Sequence, residues 1–132
     1  MGHIDTKYIQ NVFEVEMKVA VIGSRTLDID DLGKYLPSET KEIVTGGAIG
    51  IDRSAATYAK KAGLILTEFL PDYARYKKGA PFRRNRQIAE YADKAVALWD
   101  GRSKGTLHTI RLFESLGKEV IVIRIEQASL DL

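Results

Sequence analysis

Cysteine is missing altogether from the 132 residues. That excludes disulfides, a thiolate zinc site and thiol redox chemistry, and it suits a reducing cytosol. Histidine is nearly missing too, with His3 and His108 the two present. With no cysteine beside them they make no metal-ligand cluster, so no metal is expected. No apolar run approaches the roughly 18 residues that a membrane span needs, and no signal peptide is visible. The expectation is a soluble, cytoplasmic protein without a membrane partner. Internal repeats, low-complexity segments and linkers are also lacking. At this length the chain is one domain. A chain of this size buries roughly two thirds of its unfolded surface, enough for a real core.

Net charge is small, +2, but unevenly placed. Arg75, Lys77, Lys78, Arg83, Arg84 and Arg86 lie within twelve residues that hold no acid, leaving 14 basic against 18 acidic residues elsewhere. A local concentration of this kind points to an anionic partner or to a solvated loop, with about equal weight.

Residues 1–16 read as an N-terminal extension, either vector-derived or the start of the first strand. Phe13, Val15 and Met17 alternate with Glu14, Glu16 and Lys18, which favours an early strand, whereas Met17 also reads as a native start. The domain proper spans 17–125, and 126–132 is a tail. Met17–Gly23 is a short β-branched run ending in glycine, a buried strand. A helix is predicted from a cap at Thr26 or Asp28 to Leu36, stopped by Pro37. Strands follow at Glu42–Thr45, Leu64–Leu70, Ala95–Trp99 and Glu119–Ile123. Helices are predicted from the end of the turn at Asp52 to Lys61, from Phe82 to Ala92 and along Leu107, Ile110, Phe113 and Leu116, with a loop over Asp72–Pro81. Strands that are continuous apolar runs, alternating with helices, predict a doubly wound α/β domain of about five parallel strands with helices on both faces. Ligands of such sheets bind beyond the C-terminal strand ends.

Three turns on that edge carry glycine: Gly23-Ser24-Arg25, Gly46-Gly47-Ala48-Ile49-Gly50 and Gly101 to Gly105. Glycine lets backbone approach a ligand, and a following helix offers free N–H groups to an anion. The dinucleotide fingerprint G-x-G-x-x-G is incomplete, because Thr45 stands where its first glycine would be, and no P-loop motif occurs. The hydroxyls of Ser24, Thr45, Ser103 and Thr106 lie beside the turns. Arg84-Asn85-Arg86 lies near a helix start and offers planar forks for phosphate, or ion pairs to Glu90 or Asp93. Asp52 serves equally well as a helix N-terminal acid or as an acceptor for a ribose hydroxyl. His108 reads as an exposed helix residue and Trp99 as core. Tyr73 and Tyr76 are candidates for stacking on a base.

These residues carry a resemblance. Gly23-Ser24-Arg25, Thr45-Gly46-Gly47-Ala48-Ile49-Gly50-Ile51-Asp52, Arg84-Asn85-Arg86 and Asp100-Gly101-x-Ser103-Lys104-Gly105-Thr106 resemble the SLOG superfamily of Rossmann-like proteins, most of all its small YspA-like branch. The resemblance covers Met17 to about Ile123. It implies a phosphate-bearing, nucleotide-type ligand at the strand edge, often in a homodimer, with no further cofactor required. Related branches are the DprA-like proteins, which bind single-stranded DNA, and the LOG (lysine-decarboxylase-like) phosphoribohydrolases. The hydrolases carry a catalytic Glu where this chain has Thr109. Loss of such a group removes an effect often worth about 10² to 10⁴ in rate. Arg84, Glu68 and Asp100 remain as catalytic candidates. The leading expectation is therefore a nucleotide-binding sensor or carrier. Its contacts would be Gly23, Ser24, Arg25, Gly46, Gly47, Gly50, Asp52, Arg84, Asn85, Arg86, Ser103, Gly105 and Thr106. A nucleoside-monophosphate N-glycosidase and a single-stranded DNA binder are the alternatives.

Overall fold

The structure is a computed structural model that describes residues 16–126. The alternating stretch around Phe13 and Val15, and most of the tail, lie outside the described residues. Five strands form one parallel sheet: β1 (Met17–Gly23), β2 (Thr40–Thr45), β3 (Ile65–Glu68), β4 (Lys94–Trp99) and β5 (Val120–Arg124), in the order β3-β2-β1-β4-β5. The predicted α/β class and strand number agree with this sheet. The chain winds from β1 outward to β3, then returns across the sheet to place β4 against β1. The switch point therefore lies between β1 and β4, where Gly23 pairs with Leu98.

Alternation along β1 sorts the two faces. Val19 and Val21 join Ile43, Val96 and Leu98 under α1 (Ile51–Ala62). Ala20 and Ile22 join Val44, Ala95 and Ala97 under α3 (Ala80–Tyr91) and α4 (Lys104–Ser115). The second face is rich in alanine, which lets α3 and α4 pack close to the strands. Phe113 fills the remaining space and is fully buried. Gly63 ends α1 in the left-handed conformation, as its sequence position predicts. The C-terminal end of α3 is closed differently: Lys118 Nζ donates to the carbonyls of Ala89, Glu90 and Ala92 at 2.8, 2.9 and 2.7 Å. An ammonium there satisfies carbonyls that have no partner within the helix. Among the described residues no helix is long and apolar enough to cross a membrane.

Two predicted elements differ from the structure. The helix expected from Thr26 or Asp28 to Leu36 is a single 3-10 turn, Leu32–Tyr35. Tertiary partners take its backbone groups: Leu27 N–H donates to Ser24 O at 3.3 Å, and Ile29 N–H donates to Ser54 Oγ at 3.1 Å. Leu27 and Leu32 are both buried, a spacing of five that no helix face provides. The loop expected over Asp72–Pro81 instead contains α2 (Tyr73–Tyr76), a 3-10 turn at Lys77–Gly79 and the first turn of α3. Asp72 caps α2 by accepting from Arg75 N–H at 3.1 Å.

Candidate functional site

The β1 turn stitches the switch point together. A side chain at Gly23 would collide with the Leu98 carbonyl and the Ile51 side chain, so only glycine lets β1 end this close to β4. Ser24 N–H donates to Leu98 O at 3.2 Å, and Ser24 Oγ accepts from Asp100 N–H at 3.1 Å. Ser24 O accepts from Leu27 and Ile51 N–H, both at 3.3 Å. Ser24 is therefore spent on the fold and buried, and it does not reach the cleft. Arg25, next in the chain, is exposed and does.

The β2 turn packs against the first. Gly50 has φ +78° and lies against the Ser24 and Arg25 carbonyls, leaving no room for a side chain. Asp52 is in the first turn of α1 and nearly buried. Its Oδ2 accepts from Ala48 N–H at 3.1 Å and so ties the glycine turn to the helix. Burial pushes the Asp52 carboxyl above the ordinary carboxylate range, and the Ala48 N–H and the positive Arg84 oppose that rise. Arg84 reaches across from α3. One terminal nitrogen donates to Gly46 O at 2.5 Å, and Nε donates to Asn85 Oδ1 at 2.9 Å. Burial pulls Arg84 below its ordinary value, with Asp52 as the largest opposing charge. A guanidinium stays protonated in proteins even so.

The β4 turn ends in a helix start. Asp100 Oδ1 accepts from Arg102 and Ser103 N–H, both at 2.8 Å, and these two bonds hold its carboxyl below the usual range. Trp99 Nε1 donates to Ser103 O at 3.0 Å. Ser103 caps α4, accepting from Thr106 N–H at 3.3 Å, and its hydroxyl lies 3.0 Å from that of Thr106. The N–H groups of Lys104 and Gly105 belong to the first helical turn, which lacks internal acceptors. A side chain at Gly105 would meet nothing within 4 Å. Unlike Gly23 and Gly50, this glycine has no packing reason to be one.

The three turns and α3 surround a cleft of about 300 Å³. Of the predicted contacts, Gly23, Arg25, Gly46, Asp52, Arg84, Asn85, Ser103, Gly105 and Thr106 line it. Ser24, Gly47 and Gly50 do not line it and shape the turns instead. Arg86 does not line it either: it faces away and pairs with Glu90 at 2.9 Å, the alternative its sequence allowed. Ile22, Pro81, Phe82 and Ile88 line the cleft without having been predicted, whereas Ala48 comes from the predicted glycine turn and Thr109 is the position the resemblance had marked. Phe82 reads in sequence as part of the core-facing stripe of α3, yet it is 57% exposed. The first turn of that helix overhangs the cleft rather than the sheet. The Pro81-Phe82 pair at the helix start was the available signal. Tyr73, a stacking candidate, does line the cleft. His108 is half-buried rather than exposed, edge-on to Phe82 at 5.1 Å between ring centroids.

The catalytic candidates fall apart spatially. Arg84 is in the cleft, Glu68 stands exposed at the end of β3, and Asp100 is held in its turn by two backbone N–H groups. Thr109 Oγ1 donates to Gly105 O at 3.0 Å, so its hydroxyl is turned back onto the helix. Asp52 is the sole carboxylate among the described cleft residues.

No protein-family model matches the chain, and no curated protein sequence matches it. Solved structures do. DNA processing protein A (DprA) from Streptococcus pneumoniae superposes with a TM-score of 0.68 at 23% identity over 87% of this chain. The chain spans about half of that protein, 52% of its length. DprA from Helicobacter pylori, solved in a study of its single-stranded DNA binding, superposes with a TM-score of 0.62 at 22% identity, covering 96% of this chain and 71% of that one. The chain is thus similar in fold to the Rossmann-like part of DprA proteins.

Proposed function

We propose that this protein binds the phosphate and sugar of a nucleotide in the cleft at the β1–β4 switch point, and that it holds the nucleotide without cutting it. The observation that carries the proposal is convergence. Gly23 and Arg25 at the end of β1, Gly46 after β2, Arg84 from α3, and Gly105 and Thr106 in the first turn of α4 all line one cleft. Backbone donors at a helix start and planar guanidiniums are the groups that suit a phosphate. The cleft volume, about 300 Å³, is at the low end for small-molecule sites and suits part of a nucleotide rather than a dinucleotide. Hydrolysis is disfavoured because the acid of the related hydrolases is replaced by Thr109, whose hydroxyl is engaged with Gly105 O. Membership of the SLOG superfamily, a homodimeric state and a cytoplasmic location belong to the same reading.

A second reading, binding of single-stranded DNA, is favoured by a specific observation. Tyr73 and Phe82 stand at the rim, 56% and 57% exposed, and aromatic rings there stack on unpaired bases of any sequence. The likeness to DprA structures supports it as well.

Calorimetric titration with AMP, ADP-ribose and NAD tests the main reading, with incubation products checked for free base. Charge-assisted hydrogen bonds of about 1.5–3 kcal/mol each predict dissociation constants on the order of micromolar to tens of micromolar, with no base released. Binding weaker than millimolar to all of them would contradict the proposal, and release of base would replace it with the glycosidase.

A further inference from the structure

Most of the basic segment is not used by the cleft described above. Arg84 is engaged with Gly46 O, and the charge of Arg86 is answered by Glu90. The side chains of Arg75, Lys77, Lys78 and Arg83 are exposed, and among the described residues none of them has a carboxylate partner. Arg83 lines an open groove of about 490 Å³ together with Tyr76, Gly79, Phe82 and Leu112. Lys77 and Lys78 lie in the chain between two of these lining residues, Tyr76 and Gly79. The groove shares only Phe82 with the lining of the first cleft.

Two features set this groove apart from a solvated basic face. The first is order. The Arg83 guanidinium lies 4.7 Å from the centre of the Tyr76 ring, and that of Arg75 lies 5.3 Å from it. A guanidinium held over a ring keeps its N–H edge outward, a planar fork that matches a carboxylate. The second is strain. Lys77 has φ +54° and ψ −129°, and it is the one non-glycine residue with a positive φ among the described residues. Glycine adopts such a backbone freely, whereas lysine there is strained. Strain of this kind collects at binding sites.

From this arrangement we infer that the groove is a docking site for an acidic peptide segment of a partner protein. Its carboxylates meet Arg83 and the Lys77–Lys78 turn, and an apolar side chain between them lies against Phe82 and Leu112. Charge and lining together choose the occupant. Four unpaired cations call for an anion. The exposed Phe82 ring and the half-buried Leu112 call for an apolar group, which a free inorganic anion lacks. A nucleic acid would bring charge and bases, but the Tyr76 ring is already occupied by guanidiniums and Leu112 offers no stacking face.

The test is calorimetry at low salt with an end-blocked hexapeptide, Glu-Glu-Leu-Phe-Glu-Glu. Two control peptides replace every Glu by Gln, or Leu-Phe by Ala-Ala, and a hexameric oligothymidylate is titrated beside them. The wild type is expected to bind the acidic peptide with a dissociation constant on the order of 100 μM or tighter. The Gln peptide should bind at least about tenfold more weakly, and the Ala-Ala peptide at least about fivefold more weakly. Arg83→Glu should weaken the acidic peptide at least about tenfold. Lys77→Gly removes the strain and one charge together. It should raise the melting temperature and weaken the peptide about threefold. This second variant decides the matter if Arg83→Glu does not fold. No binding at millimolar peptide, an affinity unchanged in the deciding variant, or equal binding of the Ala-Ala peptide overturns the docking site. Oligothymidylate that binds more tightly than the peptide, and loses that affinity in the deciding variant, overturns it as well and assigns the groove to nucleic acid.

Discussion

Gly105 is the cleft residue that folding explains least. Glycine in the first turn of a helix is unfavourable by roughly 0.5–1 kcal/mol relative to alanine, and here a methyl group would meet nothing within 4 Å. Gly105 lies in the first, Ser103-capped turn of α4 and lines the cleft. Gly105→Ala is therefore expected to raise stability by up to about 1 kcal/mol in urea unfolding while weakening nucleotide binding at least tenfold. Lower stability, or unchanged binding, would show that the glycine serves packing after all. Ser24 teaches the opposite lesson. Its hydroxyl and both backbone groups are consumed by Leu98, Asp100, Leu27 and Ile51, so a residue that reads as a ligand contact is a fold contact.

At the scale of elements, the glycine turn before α1 is held by one buried carboxylate. Asp52 accepts from Ala48 N–H, and burial lifts its carboxyl above the unfolded value near 3.8. The folded protein then binds this proton more tightly than the unfolded chain does. Stability from this group falls as pH rises from the unfolded value through the raised folded one. Asp52→Asn keeps an acceptor for Ala48 and cannot titrate. Urea unfolding across a pH series should show the variant gaining on the wild type through that window, with a constant difference above it. A wild type that gains on the variant over the same window would contradict the burial account. Other elements reveal why sequence reading succeeds or fails. β1 and β4 are continuous apolar runs buried on both faces, so their pattern is local and legible. The segment after Thr26 is not, because Ser54 and Ser24 take its backbone partners from elsewhere in the chain. Gly33, packed on the Tyr58 side chain, was the local warning against a helix there.

For the whole molecule, topology does the work of assembly. A parallel sheet that reverses between β1 and β4 brings turns from residues 23, 46 and 105 to one edge. That edge was legible from the glycine turns and from the alternation of strands and helices. The overhang of α3 was not, because exposure of Phe82 depends on where the helix starts relative to the sheet and not on its periodicity. The role of Arg84 was legible as a basic fork, but its distance from Arg86 was not. The two differ by only two positions, yet one grips Gly46 O and the other pairs with Glu90 outside the cleft. In the proposed function a nucleotide phosphate is held between the β1 turn and the start of α4. Amide NMR during titration with AMP tests it most directly. The largest shifts are expected at Gly23, Arg25, Lys104 and Gly105, saturating together, with small changes along β5. Shifts confined to other surfaces, or none at millimolar AMP, would contradict it.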